Sequence, residues 1–415
     1  RKLAAAEAED MPSMSSVGPQ NRLSKNKLLA GALDVLANST LGDRLLETVS
    51  SDAVDASDAW KTVAFSLLDA LATLYTAEAR PNRVVQFLSR KNYLASFVGS
   101  ILRREDQAIR TTLHADPASL NPLYIYEAKM AFFLRLAQRQ DGAERLLENG
   151  ILDVLADCGF LDLKPSVGGD VGAKSNYADA FIPARSERYH QLLMPALDLV
   201  LSLVTRIGRD NLALWMKAAR FVSQHYGVLE SILKDVSVSA NPLSIAQLTE
   251  AKAITSLVFY ISRQRAVLDR EAALASSGYV GVSSLHLTML SLLPKFSTSS
   301  NWIKRLMPTN DVERAQAQIP ASSVAASTPS DGNDDSNGND YLNAAKSDNA
   351  AKEIKRSLFG HQASELVDST IQNVLAYAQT VTELPKGVLP LEAARLFRPA
   401  FSWSIEHSRE SDYLP

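Results

Sequence analysis

The chain of 415 residues is 46% hydrophobic and 21% charged, with a formal net charge of −3. This is a globular balance that excludes a basic footprint for nucleic acid or an anionic membrane. Its single cysteine, Cys158, rules out a disulfide framework and a multi-cysteine metal site, and suits a reducing compartment.

Starting at Arg1, the sequence reads as a piece of a longer protein, with no secretory signal at its head. Residues 1–20 hold Pro12, Gly18 and Pro19 and are expected to be a loose segment. Residues 21–163 read as helical repeats. Between Asp58 and Ala79, apolar side chains recur at Trp60, Val63, Ala64, Leu67, Leu68, Leu71, Leu74 and Tyr75, a helical period held over several turns. Asn121-Pro122 is predicted to open a helix, the asparagine capping it and the proline taking the first position, where its missing N–H costs nothing. Asn241-Pro242 reads the same way.

Residues 164–183, with Gly168, Gly169 and Gly172, read as an extended loop, and helical repeats resume over 184–319. Within them Leu192 to Val204 comes nearest to a membrane span. Pro195 and Asp198 interrupt it short of the ~18 apolar residues a crossing needs, so a buried helix is expected. Ile254, Leu257, Val258 and Ile261 keep the helical period. Residues 320–349 are a low-complexity tract of Ser, Asp, Asn and Gly. Such a tract cannot bury enough apolar surface to offset its ordering entropy and is expected as a disordered insertion. C-terminal helices follow over 350–415. Ile371, Val374, Leu375, Ala378 and Val381 mark a long helix running from near Ala351 to a stop at Pro385-Lys386-Gly387.

A junction recurs in which a small or polar residue turns the chain and a short apolar helix follows at once. It is seen at Asn92-Tyr93-Leu94, Asn149-Gly150-Ile151-Leu152, Tyr226-Gly227-Val228-Leu229 and Ser277-Gly278-Tyr279-Val280. Glycine can take the left-handed conformation that closes a helix. These junctions are unevenly spaced, and strict apolar–polar alternation is absent. The expected fold is therefore all-α: an irregular HEAT/armadillo-like α-solenoid of stacked antiparallel helix pairs.

The chemistry-bearing residues form no catalytic pattern. Six histidines (His114, His190, His225, His286, His361 and His407) show no metal-ligand spacing among themselves or with Cys158. Gly168-Gly169-Asp170-Val171-Gly172-Ala173-Lys174-Ser175 differs from a phosphate-binding loop because Ala173 separates the last glycine from the lysine. No enzyme, cofactor, metal or small-molecule ligand is expected.

What stands out is the apolar C-terminus: Leu396, Phe397, Phe401, Trp403 and Ile405, split by Pro399. Phe397, Phe401 and Ile405 share one side if helical register survives the proline. They either seal the last repeat or line a groove for a partner's amphipathic helix.

Mid-chain, the residues become specific. Tyr126-Glu127-Ala128-Lys129-Met130-Ala131-Phe132-Phe133-Leu134-Arg135-Leu136-Ala137 leads into Gly142-Ala143-Glu144-Arg145-Leu146-Leu147. Asp162-Leu163-Lys164-Pro165 and Arg188-Tyr189-His190-Gln191-Leu192-Leu193-Met194-Pro195-Ala196-Leu197 follow. Over about Tyr124 to Asp235 this succession resembles the C-terminal part of the largest inner-ring scaffold nucleoporins, in a form that looks fungal. The resemblance implies a question-mark-shaped α-solenoid of the nuclear pore complex, at the nuclear envelope. Its implied partners are other inner-ring nucleoporins and a linker nucleoporin, whose helical segment would bind the C-terminal tail. Phe359-Gly360 is the one Phe-Gly pair, so a scaffold is expected and not a barrier-forming repeat protein. The competing expectation is a soluble karyopherin-like HEAT-repeat carrier or adaptor, although no dense acidic run for basic cargo is present on the helices.

Overall fold

The computed structural model describes residues 40–74, 82–165, 182–208, 211–238, 242–264, 268, 280–297, 301–309, 311–319, 354 and 357–382. In chain order the first helices are α1 (Thr40–Asp55), α2 (Asp58–Leu74), α3 (Arg83–Arg90), α4 (Tyr93–Ser100) and α5 (Asp106–Thr112), with a π-helical turn at Ile101–Glu105. Next come α6 (Asn121–Ala137), α7 (Gln140–Glu148), α8 (Ile151–Asp157), a 3₁₀ turn at Gly159–Asp162, and α9 (Arg185–Ile207). The rest are α10 (Leu212–Gln224), α11 (Tyr226–Ser237), α12 (Ile245–Ser262), α13 (Val280–Ser297), α14 (Asn301–Arg305), α15 (Asp311–Gln318) and α16 (Leu358–Thr382). Among the described residues no strand occurs; the one extended pairing is an isolated bridge, Leu243 to Leu306.

The long helices form one layer, α2 against α6, α6 against α9, α9 against α12 and α12 against α16. Mostly shorter helices make the second layer, with α1 on α2, α4 on α8, α8 on α10, and both α10 and α11 on the longer α13. The sequence expectation of an all-α solenoid is met. Its irregularity lies in the short helices. From α2 to α12 the long ones begin at 58, 121, 185 and 245, about 60 residues apart, because each unit carries extra short helices beyond a simple pair; α16 follows later, at 358.

One continuous apolar cluster runs the length of the stack, from Leu46 to Ala378. On α6 it takes Tyr126, Met130, Phe133 and Ala137 from one stripe, joined by Leu123, Phe132 and Leu136, so this helix is buried on more than one side. Each fully buried Leu or Phe contributes roughly 1.5–3 kcal/mol.

α9 is long and apolar enough to cross a bilayer by length and composition. Here it is an inner helix, with Leu192, Leu193, Ala196, Leu197, Leu199 and Val200 buried. Pro195 removes the N–H that the Gln191 carbonyl would otherwise accept. One residue on, the Tyr126 hydroxyl donates to the Leu192 carbonyl at 3.1 Å and ties α6 to α9.

Several local predictions need correction. Asn121 does not cap α6: it is the first helical residue, and the preceding Leu120 supplies no side-chain bond. Nor does Asn241-Pro242 open α12. Ser244 does, in a capping box: its hydroxyl accepts from Gln247 N–H at 3.2 Å, while the Gln247 side chain accepts from Ser244 N–H at 3.0 Å. The last long helix begins at Leu358, later than Ala351, where the Ser357 hydroxyl accepts from Gly360 N–H at 3.2 Å. Of the four junctions, Asn92 (φ 60°) and Gly150 (φ 76°) take the left-handed turn. At the third, Gly227 is already inside α11 and the turn falls on His225 with φ −95°. Gly278, residues 1–20, the glycine-bearing stretch 166–181, the tract 320–349 and the 385–387 stop lie outside the described residues.

Candidate interaction surfaces

Polar side chains between repeats are committed to holding the stack. At the start of α9, Arg185 Nε donates to the Leu113 carbonyl at 3.0 Å, and buried Arg188 donates to the carbonyls of Thr112 and His114, the latter at 3.1 Å. Together they satisfy the open C-terminal end of α5 with positive charge. His225, 2% exposed in its side chain, sets Nδ1 2.8 Å from Asp162 Oδ1 and Nε2 3.0 Å from the Leu155 carbonyl. His190 contacts Glu250 at 2.8 Å between α9 and α12, and His286 meets the Tyr377 hydroxyl at 3.0 Å between α13 and α16. These histidines are fasteners between helices.

Buried Lys129 on α6 pairs with Glu105 at the end of the π-helical turn, donates to Ser100 Oγ at 2.7 Å, and lies 5.1 Å from the Phe65 ring centroid. Burial lowers the Lys129 pKa, and the Glu105 carboxylate opposes that shift. Cys158 is buried, and desolvation followed by the nearby Asp106 carboxylate pushes its thiol well above the ordinary range. A thiol held protonated is a small core side chain.

Two cavities open beside these junctions. One, of about 670 Å³, lies between the 3₁₀ turn and α11, lined by Asp162, Lys164, Gly227, Ser231 and Asp235. Lys164 spans it, paired with Asp235 and donating to Ser231 Oγ at 3.0 Å. The other, about 210 Å³, is lined by Asp58, Lys61, Phe97, Arg104, Glu105 and Ile125. Among the described residues no group of three or more His, Cys, Asp or Glu could hold a metal ion.

The C-terminal residues Leu396, Phe397, Phe401, Trp403 and Ile405, and the glycine loop from Gly168 to Ser175, lie outside the described residues. Sequence periodicity missed a different feature. On α2, Ala64, Phe65, Leu68, Leu71 and Ala72 are buried, whereas Trp60, Val63 and Leu67 are 63%, 54% and 38% exposed. The apolar arc of α2 exceeds half the helix circumference, more than its neighbours cover. That excess width was the available signal, because an ordinary core-facing stripe is narrower.

A protein-family description, nuclear pore complex scaffold, nucleoporins 186/192/205, matches residues 15–261, more than half of the chain. The chain belongs to this family. Human Nup205 is 29% identical over 259 residues, 62% of this chain. Nup205 of Drosophila melanogaster is 26% identical over 310 residues, 72% of the chain, and Nup192 of Chaetomium thermophilum 24% over 243, or 54%. These identities single out no one lineage. The chain spans only 12–14% of the length of these relatives. Among solved structures, residues 1445–1827 of Nup188 from Myceliophthora thermophila give a TM-score of 0.45 at 14% identity, covering 86% of this chain and 92% of that one. Membership makes this chain a nucleoporin: a structural component of the pore in the nuclear envelope.

Proposed function

We propose that the chain is a non-catalytic segment of the inner-ring scaffold, held to other inner-ring nucleoporins and supporting nucleocytoplasmic transport by keeping the ring in place. Its C-terminal Leu396, Phe397, Phe401, Trp403 and Ile405 dock a helical segment of a linker nucleoporin. No cofactor, nucleic acid, small ligand or direct membrane span enters this reading. The observation that carries it is the family match over residues 15–261. The physical support is a stack whose polar junctions are occupied by inter-helix bonds, leaving function to outer faces. Aromatic anchors set in such a groove carry most of a helix-docking energy.

Phe397→Ala and Phe401→Ala are expected to weaken binding of a linker helix by about 2 kcal/mol each, roughly 30-fold, with helix content and melting temperature unchanged. A large fall in melting temperature would make these residues core and remove the docking site. Capture from nuclear extract, read by mass spectrometry, separates the competing class: inner-ring nucleoporins support a scaffold, whereas import cargo with a small GTPase marks a carrier.

A further inference from the structure

We propose that the α1–α2 hairpin is a second docking face, built for an amphipathic helix of another chain that ends in Lys or Arg. Of the thirteen large apolar residues exposed among the described residues, five sit on these two helices: Leu41 (63%), Leu45 (38%), Trp60 (63%), Val63 (54%) and Leu67 (38%). Leu41 and Leu45 are four residues apart on α1, and Trp60, Val63 and Leu67 repeat at i, i+3, i+7 on α2, so each set forms one stripe.

The opposite flank of each helix is already engaged. On α2, Asp69 accepts from Arg135 Nε of α6 at 3.1 Å, and the Phe65 ring lies 6.4 Å from that of Phe132. On α1, Asp43 accepts from Arg83 at 2.9 Å, and Glu47 accepts from the Tyr93 hydroxyl at 3.2 Å. At about 100° per residue these groups lie across the helix from the exposed stripes. Both stripes therefore belong to the side of the hairpin turned away from α3, α4 and α6.

Charge and area together select the occupant. Asp52 continues the Leu41–Leu45 line, and exposed Asp55 follows it at the end of the hairpin that carries Trp60, while exposed Arg44 stands at the other end. A helix favours acidic residues in its first turn and basic ones in its last. A partner helix running parallel to α1 thus brings its cationic last turn to Asp52 and Asp55 and its anionic first turn to Arg44. The exposed apolar side chains amount to on the order of 500 Å², short of the ~800 Å² per partner of a stable dimer and suited to a single helix lying in the groove.

The probe is a fluorescein-labelled, 18-residue helical peptide with a leucine stripe, glutamates in its first turn and lysines in its last, compared by anisotropy with a peptide whose end charges are exchanged. The full chain is expected to bind the lysine-ended peptide at least tenfold more tightly. Val63→Asp should weaken that binding at least tenfold with the circular dichroism spectrum unchanged, and Asp52→Lys with Asp55→Lys should reverse the preference. Equal affinity for the two peptides overturns the proposal. So does a concentration-dependent dimer that Val63→Asp disperses, which would make a second copy the occupant. Peptide binding that tightens when Leu29 and Leu33 are changed to Asp also overturns it, since residues 23–36 of the chain itself would then cover the face.

Discussion

Lys129 shows how single residues decide the inner surface of this stack. Its side chain is 2% exposed, yet Glu105, Ser100 and the Phe65 ring surround the ammonium, so the charge is compensated although it has left water. Removing one partner of such a pair leaves the other uncompensated, whereas replacing both with apolar groups of similar size removes the desolvation penalty along with the attraction. Lys129→Met alone should therefore destabilise the chain by about 3 kcal/mol, and adding Glu105→Leu should recover most of it. A double-mutant cycle in urea measures this; two losses that simply add would show that the pair is not coupled. The same lysine was legible in sequence only as part of a family-like run, because apolar periodicity carries no information on whether a charged residue finds a buried partner.

At the scale of the helix, side-chain type alone did not locate the starts. Asn121 and Asn241 look like caps, but Asn82, Asn211 and Ser244 do the capping, with Asn82 Oδ1 accepting from Val84 N–H at 2.9 Å and Asn211 Oδ1 from Leu214 N–H at 3.0 Å. A cap works only where the backbone brings the side-chain oxygen to the open N–H groups two or three residues ahead, which tertiary packing settles. Ser244→Ala is expected to cost about 1 kcal/mol, and Asn121→Ala, whose side chain reaches only exposed Asp58 at 3.4 Å, less than about 0.5 kcal/mol. Urea midpoints of the two variants check the order; an equal loss would return Asn121 to a capping role.

Helix class was readable because a 3.6-residue period survives over many turns, as in Ile254, Leu257, Val258 and Ile261, all buried on α12. What that period could not do was separate the covered from the uncovered part of a wide apolar arc. Leu68 is buried while Leu67 is exposed, and only the positions of the helices packed on α2, α1 and α6 chief among them, distinguish them.

Across the whole molecule, the long helices, about 60 residues apart from α2 to α12, bury one unbroken core together with α16, so neighbouring units support each other and the outer faces stay available. On the proposed reading, the α1–α2 face and the C-terminal aromatics would each hold a neighbour, and two such contacts made at once slow release far more than either contact alone. A carrier of similar architecture has to let go of its partners each cycle. The direct measurement is fluorescence recovery after photobleaching at the nuclear rim, made on the full protein that contains this chain. Recovery over hours is the expected result, and recovery within seconds to minutes would contradict a scaffold.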